Sequence, residues 1–276
     1  MYRLPFGISR LDEMVAGGAP AGSVVLLSGE AGAGAREFMQ TVAVMNGLAV
    51  TDHELFKRHY GCLATDTRLP ETISYLTVTA DPAAVRSEIG LWMNTTLAEA
   101  GLERVRLCSV ASAVFRDSRV PQHWYDDSEA TRNDDPSGEP TELLAALCRR
   151  LTNYAPNGLV IIDSLSDLVA AAAGIDWSEI SVLLHGLRTA AHRWGSLLLV
   201  RVSPDTLVPT EHGRLVDACS ATITFEWTTN GSTRARTFVI QAFRGVLSGL
   251  PAERLVRFET DLSETGFHIS DVRKIR

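Results

Sequence analysis

A short glycine-rich segment constrains the fold of this chain more than any other feature. Residues 29–36 read GEAGAGAR and follow an apolar stretch that predicts a buried strand over 23–28. A helix is predicted to begin near Ala35 and to run to about Leu48. Glycines between a buried strand and a helix predict a tight turn whose backbone N–H groups form an anion nest. The segment therefore indicates an α/β fold built around this turn.

The glycine segment keeps the spacing of an ATP-binding loop but not its side chains. The pattern that binds ATP phosphates is G-x-x-x-x-G-K-S/T. Ala35 stands at the lysine position and Arg36 at the hydroxyl position that holds magnesium, so the motif is a degenerate Walker A motif. A guanidinium there repels magnesium, and it either contacts a phosphate directly or fills the empty site. The glycines alone are also explained by the turn, which needs positive φ. The candidate nucleotide-binding residues of the loop are Gly29, Glu30, Ala31, Gly32, Ala33, Gly34, Ala35 and Arg36.

Two aspartates follow predicted strands and are further candidates. Asp163 ends the apolar run 159–163 and is followed by Ser164, and a carboxylate in that place normally orients the magnesium shell. We take both as nucleotide-site candidates. Asp81 follows the strand predicted over 73–79 and precedes a proline, so helix N-capping is the favoured role. A base that polarises a water molecule is the weaker alternative for Asp81.

Strands and helices alternate along most of the chain. This order predicts one domain over 1–276, with a mostly parallel twisted sheet flanked by helices and antiparallel strands at the C-terminus. The polar segment 50–72 is interpreted as an insertion, and the acidic segment 126–140 as a mobile loop. Further helices are predicted at 82–100, 142–154 and 177–194, and further strands at 105–110, 196–202, 221–225, 237–243 and 255–258.

Composition excludes some classes of function. The 276 residues carry a net charge of −7, which disfavours a broad electrostatic grip on nucleic acid. No apolar run approaches about 18 residues, so no membrane span is expected. The four cysteines are far apart and form no C-x-x-C pair, and the N-terminus has no apolar signal segment. We therefore expect reduced thiols in a cytoplasmic protein.

The opening segment 7–38, GISRLDEMVAGGAPAGSVVLLSGEAGAGAREF, resembles the start of a KaiC-like domain of the RecA superfamily, a group that includes RadA-like proteins. That family begins with T-G-I-x-x-L-D-x-x-x-G-G-G-x-P-x-G-S. IIDSLSDL resembles its second phosphate-site motif, AFRG its K-x-R-G, and RFETDLSETGFHIS its closing hairpin. The resemblance covers roughly residues 5 to 270, with 50–72 and 126–140 as departures. The matching residues of the opening are Gly7, Ile8, Leu11, Asp12, Gly17, Gly18, Pro20, Gly22 and Ser23.

The resemblance implies a RecA-like P-loop ATPase core of the archaeal single-domain type, assembled head to tail with ATP between neighbours. Asp163 then takes the position that orients magnesium indirectly. The paired glutamates that include the water-activating base fall on Ala80 and Asp81. The lysine that reaches the neighbouring subunit's phosphate falls on Ala242, and its companion arginine is Arg244. Most of the positions that carry the chemistry have therefore lost it.

These losses favour a catalytically degenerate protein with a regulatory or scaffolding role, for which ATP and magnesium are weakened cofactors. Its expected partner is a second copy or an active KaiC-like or RadA-like relative, arranged head to tail. One alternative is an ATP-binding protein or slow ATPase in which Arg36 replaces the lysine. Another is an accessory protein of DNA recombination, which the negative charge and the lack of a basic run disfavour.

Overall fold

In a computed structural model, the chain forms a nine-stranded sheet with helices packed on both faces. The structure describes residues 2–116, 118–125, 143–171, 175–230, 233–246 and 257–270. The predicted mobile loop 126–140 lies outside these ranges. No described helix is long and apolar enough to cross a membrane.

The strands divide into a small pair and one large sheet. The strands are β1 (Arg3–Leu4), β2 (Ala19–Pro20), β3 (Ser23–Gly29), β4 (Ile73–Thr77), β5 (Val105–Ser109), β6 (Leu159–Asp163), β7 (Leu197–Val202), β8 (Ala221–Asn230), β9 (Thr233–Phe243), β10 (Arg257–Ser263) and β11 (Gly266–Ile269). Strands β1 and β2 pair with each other, and the large sheet has the order β11-β10-β9-β8-β3-β7-β6-β4-β5. The pairs from β8 to β5 in this order are parallel, and the pairs from β8 to β11 are antiparallel. The mostly parallel sheet with antiparallel C-terminal strands is confirmed.

The helices cover the sheet because its central strands are apolar on both sides. Every residue of β3 and β6 is buried, as a parallel strand between two helix layers requires. On one face Phe38 of the first long helix packs against Phe6, Phe225 and Phe267, and on the other face a separate core surrounds Ile162. The helices are α1 (Ser9–Met14), α2 (Ala35–Thr51), α3 (His53–Tyr60), α4 (Pro82–Trp92), α5 (Thr95–Leu102), α6 (Ala111–Phe115), α7 (Leu143–Tyr154), α8 (Leu165–Ala171), α9 (Trp177–Trp194) and α10 (Pro209–Ala218).

Two predicted segments differ in the structure. The single helix predicted over 82–100 is two helices, α4 and α5, because Asn94 caps α5 by accepting a hydrogen bond from the Leu97 N–H at 3.2 Å. The segment 50–72, predicted as an insertion, contains helix α3, whose Phe56 and Tyr60 are buried. An apolar pair four residues apart on a short polar helix was the signal for this helix.

A buried carboxylate ties the N-terminal segment to helix α3. Asp12 is 1% exposed and accepts hydrogen bonds from the N–H groups of Phe6 (2.8 Å) and Gly7 (2.9 Å) and from the Tyr60 hydroxyl (3.0 Å). Burial raises the pKa of Asp12 to about 7, although these donors oppose the shift. The carboxylate of the opening motif is thus a structural tether, and it lies outside the glycine loop.

We predict that Asp12→Asn lowers the free energy of unfolding by about 1–3 kcal/mol, because the donors reach both oxygens of Asp12, whereas an amide has only one oxygen to accept from them. Tyr60→Phe, which removes one of three donors, should cost about 1 kcal/mol. Because the folded pKa of Asp12 is raised, its contribution to stability is largest near pH 4 and falls as the pH rises to about 7. Urea unfolding of wild type and Asp12→Asn at several pH values measures this. A stability difference that grows from pH 4 to pH 7 would contradict the assignment.

Candidate functional site

The glycine loop is shaped by contacts that exclude larger residues. Strand β3 ends at Gly29, one residue beyond the predicted strand, and α2 begins at Ala35, as the sequence predicts. A Cβ added at Gly29 would lie 2.5 Å from the Cβ of Ala35, so the two ends of the loop meet too closely for any side chain there. Gly34, the N-cap of α2, has a φ of 103°, which favours glycine. The loop keeps the turn of a phosphate-binding loop.

Arg36 points at the aspartate that ends β6. Its Nε lies 3.2 Å from Oδ2 of Asp163, and its Nη1 lies 3.8 Å from Oε2 of Glu88 in α4. Burial lowers the pKa of Arg36, but the charges of Asp163 and Glu88 more than offset this, and the net pKa is raised above its ordinary value. The guanidinium is therefore a permanent cation that is already paired with two carboxylates.

Asp163 has no free oxygen. Its Oδ1 lies 2.5 Å from Nε of Arg201 on the neighbouring strand β7, and its Oδ2 accepts a hydrogen bond of 2.9 Å from the hydroxyl of Tyr75 on β4. The Asp163 side chain is only 6% exposed. Burial, together with the charge of Asp163, raises the pKa of Tyr75 well above its ordinary value, so the phenol remains a donor. Three side chains from three elements thus enclose this carboxylate.

The Ser164 side chain contacts Asp167 rather than Asp163. Its hydroxyl donates to Oδ2 of Asp167 at 2.6 Å, and Nη2 of Arg201 lies 3.9 Å from the same Asp167 oxygen. Arg201 therefore bridges the two acids that flank Ser164. The side chains of Asp163 and Ser164, both predicted as nucleotide-site residues, are therefore bound by other side chains of the protein.

The outer side of the loop is held by the hairpin formed by β8 and β9. The Trp227 indole Nε1–H donates to the Ala31 carbonyl at 3.0 Å, and Arg236 Nε–H donates to the Gly32 carbonyl at 2.9 Å. The Arg236 guanidinium also lies over the Trp227 ring, 4.8 Å from its centroid. The Glu30 carboxylate accepts from the Trp227 backbone N–H at 3.1 Å. The loop is thereby clamped from the side opposite to Asp163.

Sequence reasoning did not identify Tyr75, Arg201, Trp227 or Arg236. Tyr75 and Arg201 lie inside strands and have no motif spacing to Asp163. Trp227 and Arg236 face each other across β8 and β9, and this register is unknown until the hairpin is built. An arginine within an otherwise apolar strand, LLLVRV of β7, was the one sequence signal, since a charge there needs a partner.

The remaining predicted residues lie apart from this cluster. Asp81 is the N-cap of α4 and accepts from the Ala83 N–H at 2.8 Å, which is the role that the sequence favoured. Arg244 donates to the carbonyl of Asp217 at 2.7 Å, at the edge of the sheet opposite to the glycine loop. The structure thus brings the loop, Arg36 and Asp163 together, whereas Arg244 is not near the loop of its own chain.

Magnesium does not fit the described site. A magnesium ion needs oxygen ligands in an octahedral arrangement, and the orienting carboxylate, Asp163, has both oxygens bound to Arg201, Arg36 and Tyr75. Arg36 replaces the hydroxyl that would face the ion. Across the described ranges, no group of three or more His, Cys, Asp or Glu side chains is arranged to hold a metal ion.

The fold is shared with a known structure. A KaiC-like protein from the hyperthermophilic archaeon Pyrococcus horikoshii OT3 superimposes on this chain with a TM-score of 0.62, over 98% of this chain and 99% of that chain, at 16% sequence identity. The KaiC-like, RecA-type fold that the opening motif implied is therefore confirmed. No protein-family model matches the chain, and no curated protein matches it significantly in sequence.

We predict that Asp163→Asn lowers the free energy of unfolding by about 3–5 kcal/mol, because Arg201, whose side chain is 16% exposed, would keep only the more distant Asp167 as a charged partner. Arg36→Ala is the matched control. It leaves the Asp163–Arg201 pair intact and removes a side chain that is 45% exposed, so it should cost no more than about 1 kcal/mol. Denaturant unfolding of both variants measures the two costs. Equal costs would show that Asp163 depends on Arg36 rather than on Arg201.

Proposed function

We propose that this chain is a catalytically degenerate KaiC-like protein with a regulatory or scaffolding role, whose phosphate site is closed by its own Arg36. The observation that supports this is the ion pair between Arg36 and Asp163, with a Nε–Oδ2 distance of 3.2 Å. The cation that stands at the magnesium-binding position of the motif is paired with the acid that would orient magnesium. The charge of Asp163 is thus balanced by a side chain of the same protein rather than by a bound cation.

Electrostatics disfavours strong binding of a nucleotide triphosphate. Arg36 and Arg201 are bound to carboxylates, and the acids Asp163, Asp167 and Glu88 outnumber the two guanidiniums. An incoming phosphate would have to separate one of these pairs, and each charge-assisted hydrogen bond is worth about 1.5–3 kcal/mol. The backbone nest of the loop alone offers only partial charge in compensation.

Hydrolysis is disfavoured on separate grounds. Phosphoryl transfer depends on positioning and on neutralising charge at the phosphates. The carboxylate of Asp81 is used as a helix cap, and Ala80 and Ala242 carry no functional group. Restoring the loop would therefore restore binding before it restored catalysis.

Partner and location belong to the same proposal. A second copy or an active KaiC-like relative, stacked head to tail, is the proposed partner, because the family that the opening segment resembles assembles in this way. In such a stack Arg244, which lies at the edge opposite to the loop, would face the next subunit. A cytoplasmic location is proposed because none of the four cysteines, which all lie in the described ranges, forms a disulfide.

A second candidate function is ATP binding through an atypical loop, and Arg236 is the observation that favours it. Its guanidinium lies on the loop, and within the described ranges no carboxylate is in ion-pair distance of it. Arg236 could thus contribute the cation that Ala35 lacks. Under this alternative, Arg236→Ala abolishes ATP binding, whereas Arg36→Ala does not.

We predict that calorimetric titration of the wild type with ATP shows weak or no binding, unchanged by magnesium. Arg36→Ala should bind ATP no worse than the wild type, because Arg36 is committed to Asp163 and Glu88 and contributes nothing to the phosphates. Tight, magnesium-dependent binding by the wild type that disappears in Arg36→Ala would contradict the closed site. Binding that disappears only in Arg236→Ala would establish the second candidate.

We further predict that the double variant Ala35→Lys, Arg36→Ser gains magnesium-dependent ATP binding by roughly 10- to 100-fold, the equivalent of one restored charge-assisted contact. ATP hydrolysis should stay at background, because the base is still missing. Arg36→Ser alone is the matched control and should gain much less. Failure of the double variant to bind, with an unchanged fold by circular dichroism, would mean that the hairpin clamp also excludes nucleotide.

A further inference from the structure

An apolar groove with an acidic rim lies beside the closed site. Its cavity measures about 500 Å³ and lies between helix α4, the first turn of α2 and the turn that joins β10 to β11. The apolar lining residues are Leu91, Trp92 and Leu262, and the acidic ones are Glu37, Glu88 and Glu264. Apolar walls inside a ring of one charge define a surface for a partner of opposite charge.

Leu91 has the most exposed large apolar side chain in the described part of the chain. It is 87% exposed, although it lies in the last turn of α4 next to the half-buried Trp92. Trp92 is fixed in orientation, since its indole N–H donates to Oε1 of Gln40 at 2.8 Å. A rigid aromatic side chain beside an exposed leucine is typical of a protein interface.

Two carboxylates of the acidic rim form no ion pair with a described residue. Among the described residues, no cation lies within ion-pair distance of Glu37 or Glu264, whereas Glu88 contacts Arg36 at 3.8 Å and accepts from Gln40 at 3.1 Å. The groove therefore offers two unpaired carboxylates and one that is loosely held. Basic side chains of a partner would complete these pairs.

We propose that this groove binds a cationic amphipathic segment of another protein, with an aliphatic side chain against Leu91 and Trp92 and arginines or lysines on Glu37, Glu88 and Glu264. The three glutamates of the rim would attract a cationic segment and repel an acidic one, and a purely apolar segment would leave them without partners. Because Glu88 also contacts Arg36, the partner's cation competes with Arg36 for the same carboxylate. The groove thereby gives the chain an interaction surface that does not depend on nucleotide.

The test uses the full chain and a synthetic peptide with two leucines flanked by four arginines. Two matched peptides replace the arginines with glutamates or the leucines with serines. Calorimetry should detect binding of the first peptide only, weakened by added salt. The double variant Glu37→Gln, Glu264→Gln should weaken binding by roughly tenfold, or about 1.4 kcal/mol in total, and Leu91→Ser alone should do the same.

Matched controls lie on helix α9. Val182→Ser removes another apolar side chain that is 71% exposed, and Glu179→Gln removes a carboxylate of its first turn, so neither should change peptide affinity. Arg36→Ala should tighten peptide binding several-fold, because Glu88 loses the cation that it contacts within the protein. The ATP titrations neither require nor exclude this result, so the two proposals can fail separately. Equal affinity of all three peptides, or of wild type and the groove variants, would overturn the proposal. So would sedimentation that shows a dimer of this chain dissociated by Leu91→Ser.

Discussion

The arrangement around the Asp163 carboxylate determines what the rest of the site can do. A carboxylate at the end of a central strand, 6% exposed, is stable as an ion only when its charge is matched and its oxygens are bound. Arg201 does this from the adjacent strand, Tyr75 adds a hydrogen bond, and Arg36 closes the solvent side. The glycine loop is therefore held beside an acid whose two oxygens are both bound by side chains of the protein.

The Arg36 side chain determines the charge at the start of α2. A serine or threonine there would present a small neutral hydroxyl, whereas the arginine carries a full charge on a long stem. The stem allows the guanidinium to reach from the first turn of α2 to Asp163 and Glu88, and the raised pKa of Arg36 keeps it charged at any physiological pH. The glycines thus determine the turn of the loop, and Arg36 determines the charge beside it.

The sequence predicted the parts of this molecule that depend on local patterns. The strand, glycine turn and helix around Gly34 have a fixed spacing, and Asp163 follows an uninterrupted apolar run. The sequence could not predict that Tyr75 and Arg201 contact Asp163. These residues come together only because β4 and β7 lie on either side of β6 in the sheet. The break at Asn94 has a different cause, because it depends on a local contact in which the Asn94 side chain accepts from the Leu97 N–H and begins a second helix.

The polar contacts around Arg36 continue beyond the glycine loop. The Trp92 indole donates to Gln40, the Gln40 amide donates to Glu88, and Glu88 contacts Arg36, which is paired with Asp163. Each link is charged or hydrogen-bonded, so a change of partner at Glu88 alters the charge that balances Arg36. If the proposed partner places a cation on Glu88, the pairing of Arg36 with Asp163 is therefore the next contact to change.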